Sequence, residues 1–375
     1  MKYPFNEFTN LALAPEYTEA LHADGLTRVE LPHGEPAWLV TRHAEARLVL
    51  GDRRFSRALA HERDAPRVFD RVPAGIVSMD PPQLTAIRSV AAKAFTARRV
   101  EGLREHVRQL VRKLIDEMRH QENPDLVRDF ALPIPVSVIC ELLGVPVEDQ
   151  EQFRAWNDAL MSTDSAREIQ ELAQYIGGLI GQRVQHPKDD LLSSFAESGL
   201  PPQQLVLLCI AILVAGYEAT SAQIPNFLIT LLDHPAQFAR LVEDPSLVDN
   251  AVEELLRFVP LASSAMFAHY AMEDVQVGEH LVREGDPVLV SIGAANYDET
   301  RFENPHHLDI CRDAQGHLAF GYGLHHCVGS ALGRLELQEA LRGLVTLAPT
   351  LRIAGDVEWK TNTFFRGPLS VPVSF

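Results

Sequence analysis

The sequence predicts a mainly α-helical protein with a small β portion, folded as a single domain over residues 1–375. Three observations lead there. Helix-length segments that open on an acid, a proline pair or both recur from about residue 80 onward. Runs of strand character are short, punctuated by glycine, and confined to the N-terminal region, the stretch around residues 275–290 and the C-terminal tail. No repeat, low-complexity tract or long linker divides the chain, and an apolar content of 46% is enough for a large core.

Taken in order, the Glu30-Leu31 region and Ala37 to Val40 read as short strands, followed by a helix from His43 to Leu50. Ser56 to Ser78, rich in Arg, Ala, Pro and Gly, reads as a long loop. Asp80-Pro81-Pro82 then starts a helix with a capping acid and proline in the first turn. Further helices are predicted over Val100 to His120, over Pro135 to Leu143 before Gly144-Val145-Pro146, and over Asp149 to Met161 and Ala166 to Gln185, these two parted at Ser162-Thr163-Asp164-Ser165. Pro201-Pro202 opens a long apolar helix, whose longest apolar run, Leu205 to Gly216, is too short to span a bilayer. Asn250 with Glu253 has capping-box spacing. Short strands follow within Val275 to Val290, separated by Gly278 and Gly285, and again at Leu351 to Ile353 and Leu369 to Val373.

A net charge of −17 argues against nucleic acid as a partner. The four cysteines, Cys140, Cys209, Cys311 and Cys327, form no disulfide-like framework, as expected of a reducing cytoplasm. The opening Met1-Lys2-Tyr3-Pro4-Phe5 has neither a secretory core nor a membrane anchor, so a soluble protein without a membrane partner is expected.

The chemistry concentrates in Phe320-Gly321-Tyr322-Gly323-Leu324-His325-His326-Cys327-Val328-Gly329. Cys327 follows a glycine-rich turn and precedes an apolar, helix-forming run from Ser330. A thiol there meets the positive end of the helix dipole and unpaired backbone N–H groups, both of which favour thiolate. Gly321, Gly323 and Gly329 keep the backbone bare, as a flat, bulky cofactor approaching the sulfur would require. Such a thiolate suits haem iron as an axial ligand. Three other readings compete. A buried structural cysteine would not call for three glycines. Zinc is suggested by His306, His307, Cys311, His317, His325 and His326, but no pair there has the spacing of a closed tetrahedral site. Dinucleotide binding would need glycine where His326 stands.

With Leu332 and Arg334 following, this stretch resembles the haem-binding loop of the cytochrome P-450 family, and further landmarks extend the resemblance from about Phe55 to Val373. They include Ile139-Cys140-Glu141-Leu142-Leu143-Gly144-Val145-Pro146, Asp189-Asp190-Leu191-Leu192, and the run through Asn296, Phe302, Pro305, Asp309, Arg312 and His317. Glu299 departs from it, since proline is usual there. The resemblance implies a cytochrome P-450 fold and haem b held non-covalently, with Cys327 as the metal ligand and Phe320, Gly321, His325 and Gly329 in its loop. It also implies a fold-locking network of Glu254, Arg257 and Arg312. Arg88 and His325 are expected at the haem propionates. His269 stands where arginine is usual and Leu84 where histidine is usual, and a histidine there predicts a pH-sensitive contact.

Ala215-Gly216-Tyr217-Glu218-Ala219-Thr220 resembles the family's oxygen-binding groove, with Ala215 and Gly216 against the haem and Glu218, Ala219 and Thr220 at the catalytic positions. In the family an acid is followed by threonine, whose hydroxyl helps deliver protons. Ala219 removes that alcohol, and Pro225 should kink the helix beyond the groove. Arg104, Arg108 and Arg112 share a helical stripe within a basic cluster that also holds Lys93, Arg98, Arg99 and Lys113. In the family this side receives an acidic ferredoxin or flavin-type electron donor.

The function implied is a bacterial-type monooxygenase inserting oxygen from O2 into a small, natural-product-like substrate. With Ala219 in place, a group of the substrate would complete proton delivery. The alternatives are oxidative coupling, cyclisation or a peroxide-driven reaction on the same scaffold and, more remotely, a non-catalytic haem sensor. Specificity is expected from Ser56–Ser78, Met161–Ala166, Ile212, Ala215, Leu261–Ala265 and Thr363-Phe364-Phe365.

Overall fold

The structure, a computed structural model, describes residues 1–69, 75–149, 151–153, 155–156, 166–188, 190–262, 264–361 and 363–375. Asp189, most of the helix expected over Asp149 to Met161, and the break at Ser162–Ser165 lie outside the described residues. The helices are α1 (Pro15–His22), α2 (His43–Gly51), α3 (Gln83–Ala94), α4 (Ala97–Gly102), α5 (Arg104–Arg119), α6 (Pro133–Leu143), α7 (Ala166–Gln185), α8 (Leu191–Ala196), α9 (Pro202–Leu232), α10 (Pro235–Glu243), α11 (Val248–Phe258), α12 (Ile292–Ala295) and α13 (Ser330–Leu347). The strands are β1 (Thr27–Val29), β2 (Ala37–Val40), β3 (Phe55–Ser56), β4 (His269–Ala271), β5 (Val275–Val277), β6 (His280–Val282), β7 (Pro287–Val290), β8 (Arg352–Ile353), β9 (Glu358–Trp359), β10 (Pro368–Ser370) and β11 (Val373–Ser374).

Contacts gather these elements into two compact units. The first comprises Met1–Gln83, Pro225–Cys327 and Val357–Leu369, and the second Leu84–Ile224, Val328–Asp356 and Ser370–Phe375. The first is built on a five-stranded sheet of order β1-β2-β7-β4-β3. β2 and β7 pair in parallel, Leu39 opposite Leu289 and Val40 opposite Val290. Alternate side chains serve opposite faces. Leu39 and Leu289 pack with Tyr3, Tyr17 and Tyr270, while Val40, Val288 and Val290 pack with Val49, Leu50 and Phe55. The same unit holds the buried charge network: Arg257 donates to Glu254 at 2.7 and 2.8 Å, Arg312 donates to Glu254 at 3.1 Å, and Arg257 also reaches the Asn296 carbonyl at 2.9 Å. Both Glu254 and Arg257 are fully buried, so removing either partner would strand a buried charge, unlike at an exposed helical pair.

In the second unit α13 lies against α5, and the approach is close because Gly343 has no side chain. A Cβ there would come within 2.2 Å of Val111. Asp125 ties the C-terminal strand region to this unit, accepting from the Val371 N–H at 2.9 Å and from the N–H groups of Val127 and Arg128 at 2.8 Å.

Several expectations are corrected. The helix expected over Val100 to His120 is two, broken at Leu103, with Thr96 capping the first through the Arg99 N–H. Asp80 does not cap α3; its carboxylate accepts from the Ser56 hydroxyl and from the Arg57 N–H at 3.1 Å, fastening the preceding loop. Asn250 makes no capping box: α11 already begins at Val248, and the Asn250 amide donates to the carbonyls of Ile310 and Arg312 at 2.7 and 2.9 Å. The strand placed at Glu30-Leu31 falls earlier, where Arg28 pairs with Trp38. α9 runs for 31 residues and, by length and composition, is apolar enough to cross a membrane, unlike the shorter run read from sequence. Its second half, Ser221 to Leu231, is buried throughout, and the Asn226 side chain donates to the Arg366 carbonyl at 3.0 Å, as in a core helix. The helix continues through Pro225.

Candidate active site

The cysteine loop belongs to the first unit and is bent by glycine. Gly321 and Gly323 have φ of 71° and 65°, values that side chains with a Cβ rarely adopt. Space demands glycine at 323 as well, since a Cβ would meet the Leu50 carbonyl oxygen at 2.4 Å. Tyr322 fixes the same contact with α2, its hydroxyl accepting from Arg47 at 2.9 Å. Within the loop Cys327 N–H donates to the Phe320 carbonyl at 2.8 Å, and Gly321 N–H to that of Leu318 at 2.7 Å. The loop is wired to the charge network behind it, because Leu318 N–H donates to the Asn296 side chain at 2.7 Å. His317 is the next brace. Its Nδ1 accepts from Ala319 N–H at 3.1 Å, so Nε2 carries the proton shared with Glu253 at 3.0 Å. Cys327 is exposed and Phe320 and His325 are half-buried. Among the described residues no cluster of His, Cys, Asp and Glu could hold a metal ion, so the histidine-rich segment does not converge on one.

His269, on β4, is buried, and its Nε2 accepts from Nε of Arg57 at 2.9 Å. Burial, then the charge of Arg57, then His325, push its pKa well below the usual histidine value. Burial and the neighbouring guanidinium thus disfavour the charged ring that a pH-sensitive contact at His269 would need. Arg57 was not marked by any motif. The only sequence signal would have been register, since Phe55 pairs with Ala271 and Ser56 with Tyr270, which sets residue 57 opposite 269. The Ser56–Ser78 loop, of which residues 70–74 lie outside the described ones, lines with Met266 and Phe267 a small, partly open cleft. Phe69 and Phe364 stack edge-on with centroids 4.5 Å apart. Met161–Ser165 and Ser263, also expected to shape specificity, lie outside the described residues.

The groove segment lies in the second unit, on α9. Ile212, Gly216 and Ala219 are half-buried and Ala215 is exposed, whereas Leu213, Tyr217 and Thr220 are buried. Positions three and four apart share a helix face, so the uncovered residues form one stripe of small and apolar side chains. Gly216 also has a packing reason, because a Cβ would lie 2.9 Å from Ile139. Glu218 is half-buried on the neighbouring face, and the Ser221 hydroxyl donates to its carbonyl at 3.2 Å. Thr220, expected at a catalytic position, is buried beside this stripe. Its hydroxyl donates to Glu336 on α13 at 3.3 Å. Glu336, missed in the sequence although it is an acid between Leu335 and Leu337, is fully buried with Oε1 lacking a hydrogen bond, and burial pushes its pKa up to about 8. Arg88 is half-buried on α3, Leu84 is buried, and Gly329 is the N-cap position immediately before α13.

The basic stripe is largely neutralised. Arg104 and Arg108 donate to Glu339 at 2.8 and 3.1 Å and also pair with Glu101 and Glu105. Glu339 is buried, which alone would raise its pKa, but the two guanidinium groups outweigh burial and hold it below the usual carboxylate range. Lys93, Arg98, Arg112 and Lys113 remain exposed.

A bare backbone beside a solvent-facing thiol suits a flat ligand, and buried cationic side chains in the same unit suit that ligand's carboxylates. That donor set fits haem and defines a haem-thiolate class. Comparison with known proteins agrees. The cytochrome P450 family model matches residues 182–346. The mycinamicin IV hydroxylase/epoxidase of Micromonospora griseorubida is 43% identical over 99% of this chain and 98% of its own length. The nocardicin C N-oxygenase of Nocardia uniformis subsp. tsuyamanensis is 42% identical over 100% and 98%. A solved structure of a point mutant of the mixed-function P450 MycG, in complex with mycinamicin V, superposes with a TM-score of 0.96 at 42% identity, covering 100% of this chain and 99% of that one. This chain belongs to the cytochrome P450 family. It is accordingly an oxidoreductase of the haem-thiolate type, and its haem b is bound without covalent links.

Proposed function

We propose that the chain is a cytoplasmic monooxygenase of natural-product metabolism, with Cys327 as the iron ligand and a substrate-borne polar group completing proton delivery. The first assignment rests on the loop: Cys311 and Cys327 are both exposed, but only Cys327 ends the turn bent at Gly321 and Gly323. Bound haem supplies O2 activation, and the net change is RH + O2 + 2e⁻ + 2H⁺ → ROH + H2O. The electrons come from NAD(P)H through a separate ferredoxin or flavin-type donor. Reduced protein with carbon monoxide should show the absorption typical of thiolate-ligated haem, and Cys327→Ala should abolish it. Purified protein carrying zinc and no haem would sink this assignment.

The second assignment rests on Ala219 together with Thr220. A helix turns by roughly 100° per residue, so Thr220 cannot put its hydroxyl at the face of residue 219, and Glu336 already engages it. Ser221 is turned further away and donates to the Glu218 carbonyl. A hydroxyl, amine or carbonyl of the substrate, or a water it fixes, then hands protons onward from Glu218. Positioned proton donors are worth about 10²–10⁴-fold. An analogue lacking the polar group should bind yet turn over poorly and leak electrons to peroxide, and Ala219→Thr should restore its coupling while crowding the true substrate. If Ala219→Thr instead improves coupling with the native substrate, substrate assistance is wrong. The same lack of an alcohol favours, as a second reading, coupling or cyclisation. Mass spectrometry separates the two: the product gains one oxygen in the first case and loses two hydrogens in the second.

A further inference from the structure

The charge beside His269 comes from a residue that no motif marks. Arg57 is 8% exposed. Its Nε donates to Nε2 of His269 at 2.9 Å, one terminal nitrogen donates to the Val77 carbonyl at 3.2 Å, and the guanidinium carbon lies 4.7 Å from the Phe267 ring centre. Asp80 holds the Arg57 backbone N–H at 3.1 Å, so the residue is fixed from both ends.

A guanidinium only donates and does not lose its proton. Nε2 of His269 must therefore accept, which leaves its ring neutral with the N–H on Nδ1. That tautomer follows from geometry alone, and the depressed pKa points the same way. Nδ1 is buried and closes no hydrogen bond of full geometry, although backbone groups of Phe267 and Val288 lie close to the ring. The charged or titratable groups facing the imidazole are Arg57 from the segment after β3 and His325 from the cysteine loop. Asp80 stands behind Arg57, and the opposing strand Pro287–Val290 carries none.

We propose that Arg57, and not residue 269, supplies the permanent cation for a haem propionate in this chain. His269 acts as a positioning residue, its neutral Nε2 holding Nε of Arg57 at 2.9 Å so that the guanidinium faces the carboxylate. Leu84, buried and apolar, offers no cation, so the pair takes over a charge that the sequence lacks at both expected places. The contact is then indifferent to pH through the range where an exposed histidine titrates. The proposal rests on the chain holding haem and is independent of which thiol binds the iron.

The test measures haem loss from the holoprotein to excess apomyoglobin, and the haem reduction potential, between about pH 6 and about pH 8, a range spanning ordinary histidine titration. Wild-type loss should change less than about twofold over that range. Arg57→Gln should speed loss at least about tenfold, equivalent to about 1.4 kcal/mol, and lower the potential by removing a positive charge near the iron. His269→Arg alone should also hold haem poorly, because two guanidinium groups then adjoin. The double variant Arg57→Gln/His269→Arg should recover wild-type retention and potential. The proposal is overturned if Arg57→Gln keeps wild-type retention and potential, or if wild-type loss follows a histidine-like titration that His269→Gln removes. Should Arg57→Gln not fold, the double variant decides: recovery supports the pair, and continued haem loss in a folded protein refutes it.

Discussion

Glu336 shows how one residue can carry a pH dependence of the whole chain. Its carboxyl is fully buried, its partner is the Thr220 hydroxyl, and its pKa rises to about 8. In the unfolded chain the same group titrates near the usual value for glutamate, about 4.3. Between those two values the folded state holds a proton that the unfolded state has released, so this residue makes stability fall as pH rises through that window. Glu336→Gln, which keeps an oxygen for Thr220 but cannot ionise, should flatten the slope. Urea midpoints of the two proteins should converge near pH 5 and separate near pH 8, the variant being the more resistant. Parallel curves at both pH values would show that Glu336 ionises freely.

At the scale of elements, the α5–α13 contact divides the basic stripe into two populations. Arg104 and Arg108 are half-buried, and each reaches the buried Glu339 on α13. Reversing both to Glu would leave that buried carboxylate among like charges, which is destabilising even though the arginines themselves are partly exposed. Such a variant should lose peroxide-driven and donor-driven turnover together, because it loses the fold. Arg98 and Arg112 are exposed. Reversing those two should slow only donor-driven turnover and weaken its dependence on ionic strength, while thermal stability stays near wild type. Steady-state rates with both oxidant systems check the contrast, and equal loss in the second variant would remove the donor surface from this face.

For the whole molecule, the two compact units are interleaved in sequence, each assembled from three separate stretches. Neither can be cut out as one continuous fragment. The chain crosses between units inside α9, at Pro225, and immediately after Cys327. A cofactor that binds the folded chain and not the unfolded one stabilises it by mass action. Extraction of haem should therefore lower the midpoint of thermal unfolding by several degrees, and added haem should restore it, rising with the logarithm of free haem concentration, as calorimetry can follow. Identical midpoints with and without haem would show that binding is not coupled to folding.

The sequence by itself determined what is local. The Phe320–Cys327 loop was legible because glycine spacing, a lone thiol and a following apolar run are all read within a few residues. The α9 start, the Gly144 stop with φ of 69°, and a short strand after Gly285 were legible for the same reason. What only tertiary structure decided is which polar groups meet at a distance. Arg57 finds His269 by strand register, Thr220 finds Glu336 and Arg108 finds Glu339 by helix packing, and Asn250 turns from capping its own helix to holding the carbonyls of Ile310 and Arg312. Arg108 and Asn250 each have a plausible local partner in sequence, Glu105 and Glu253. Burial removes water as the alternative partner, so the nearest complementary group in space prevails over the nearest in the chain.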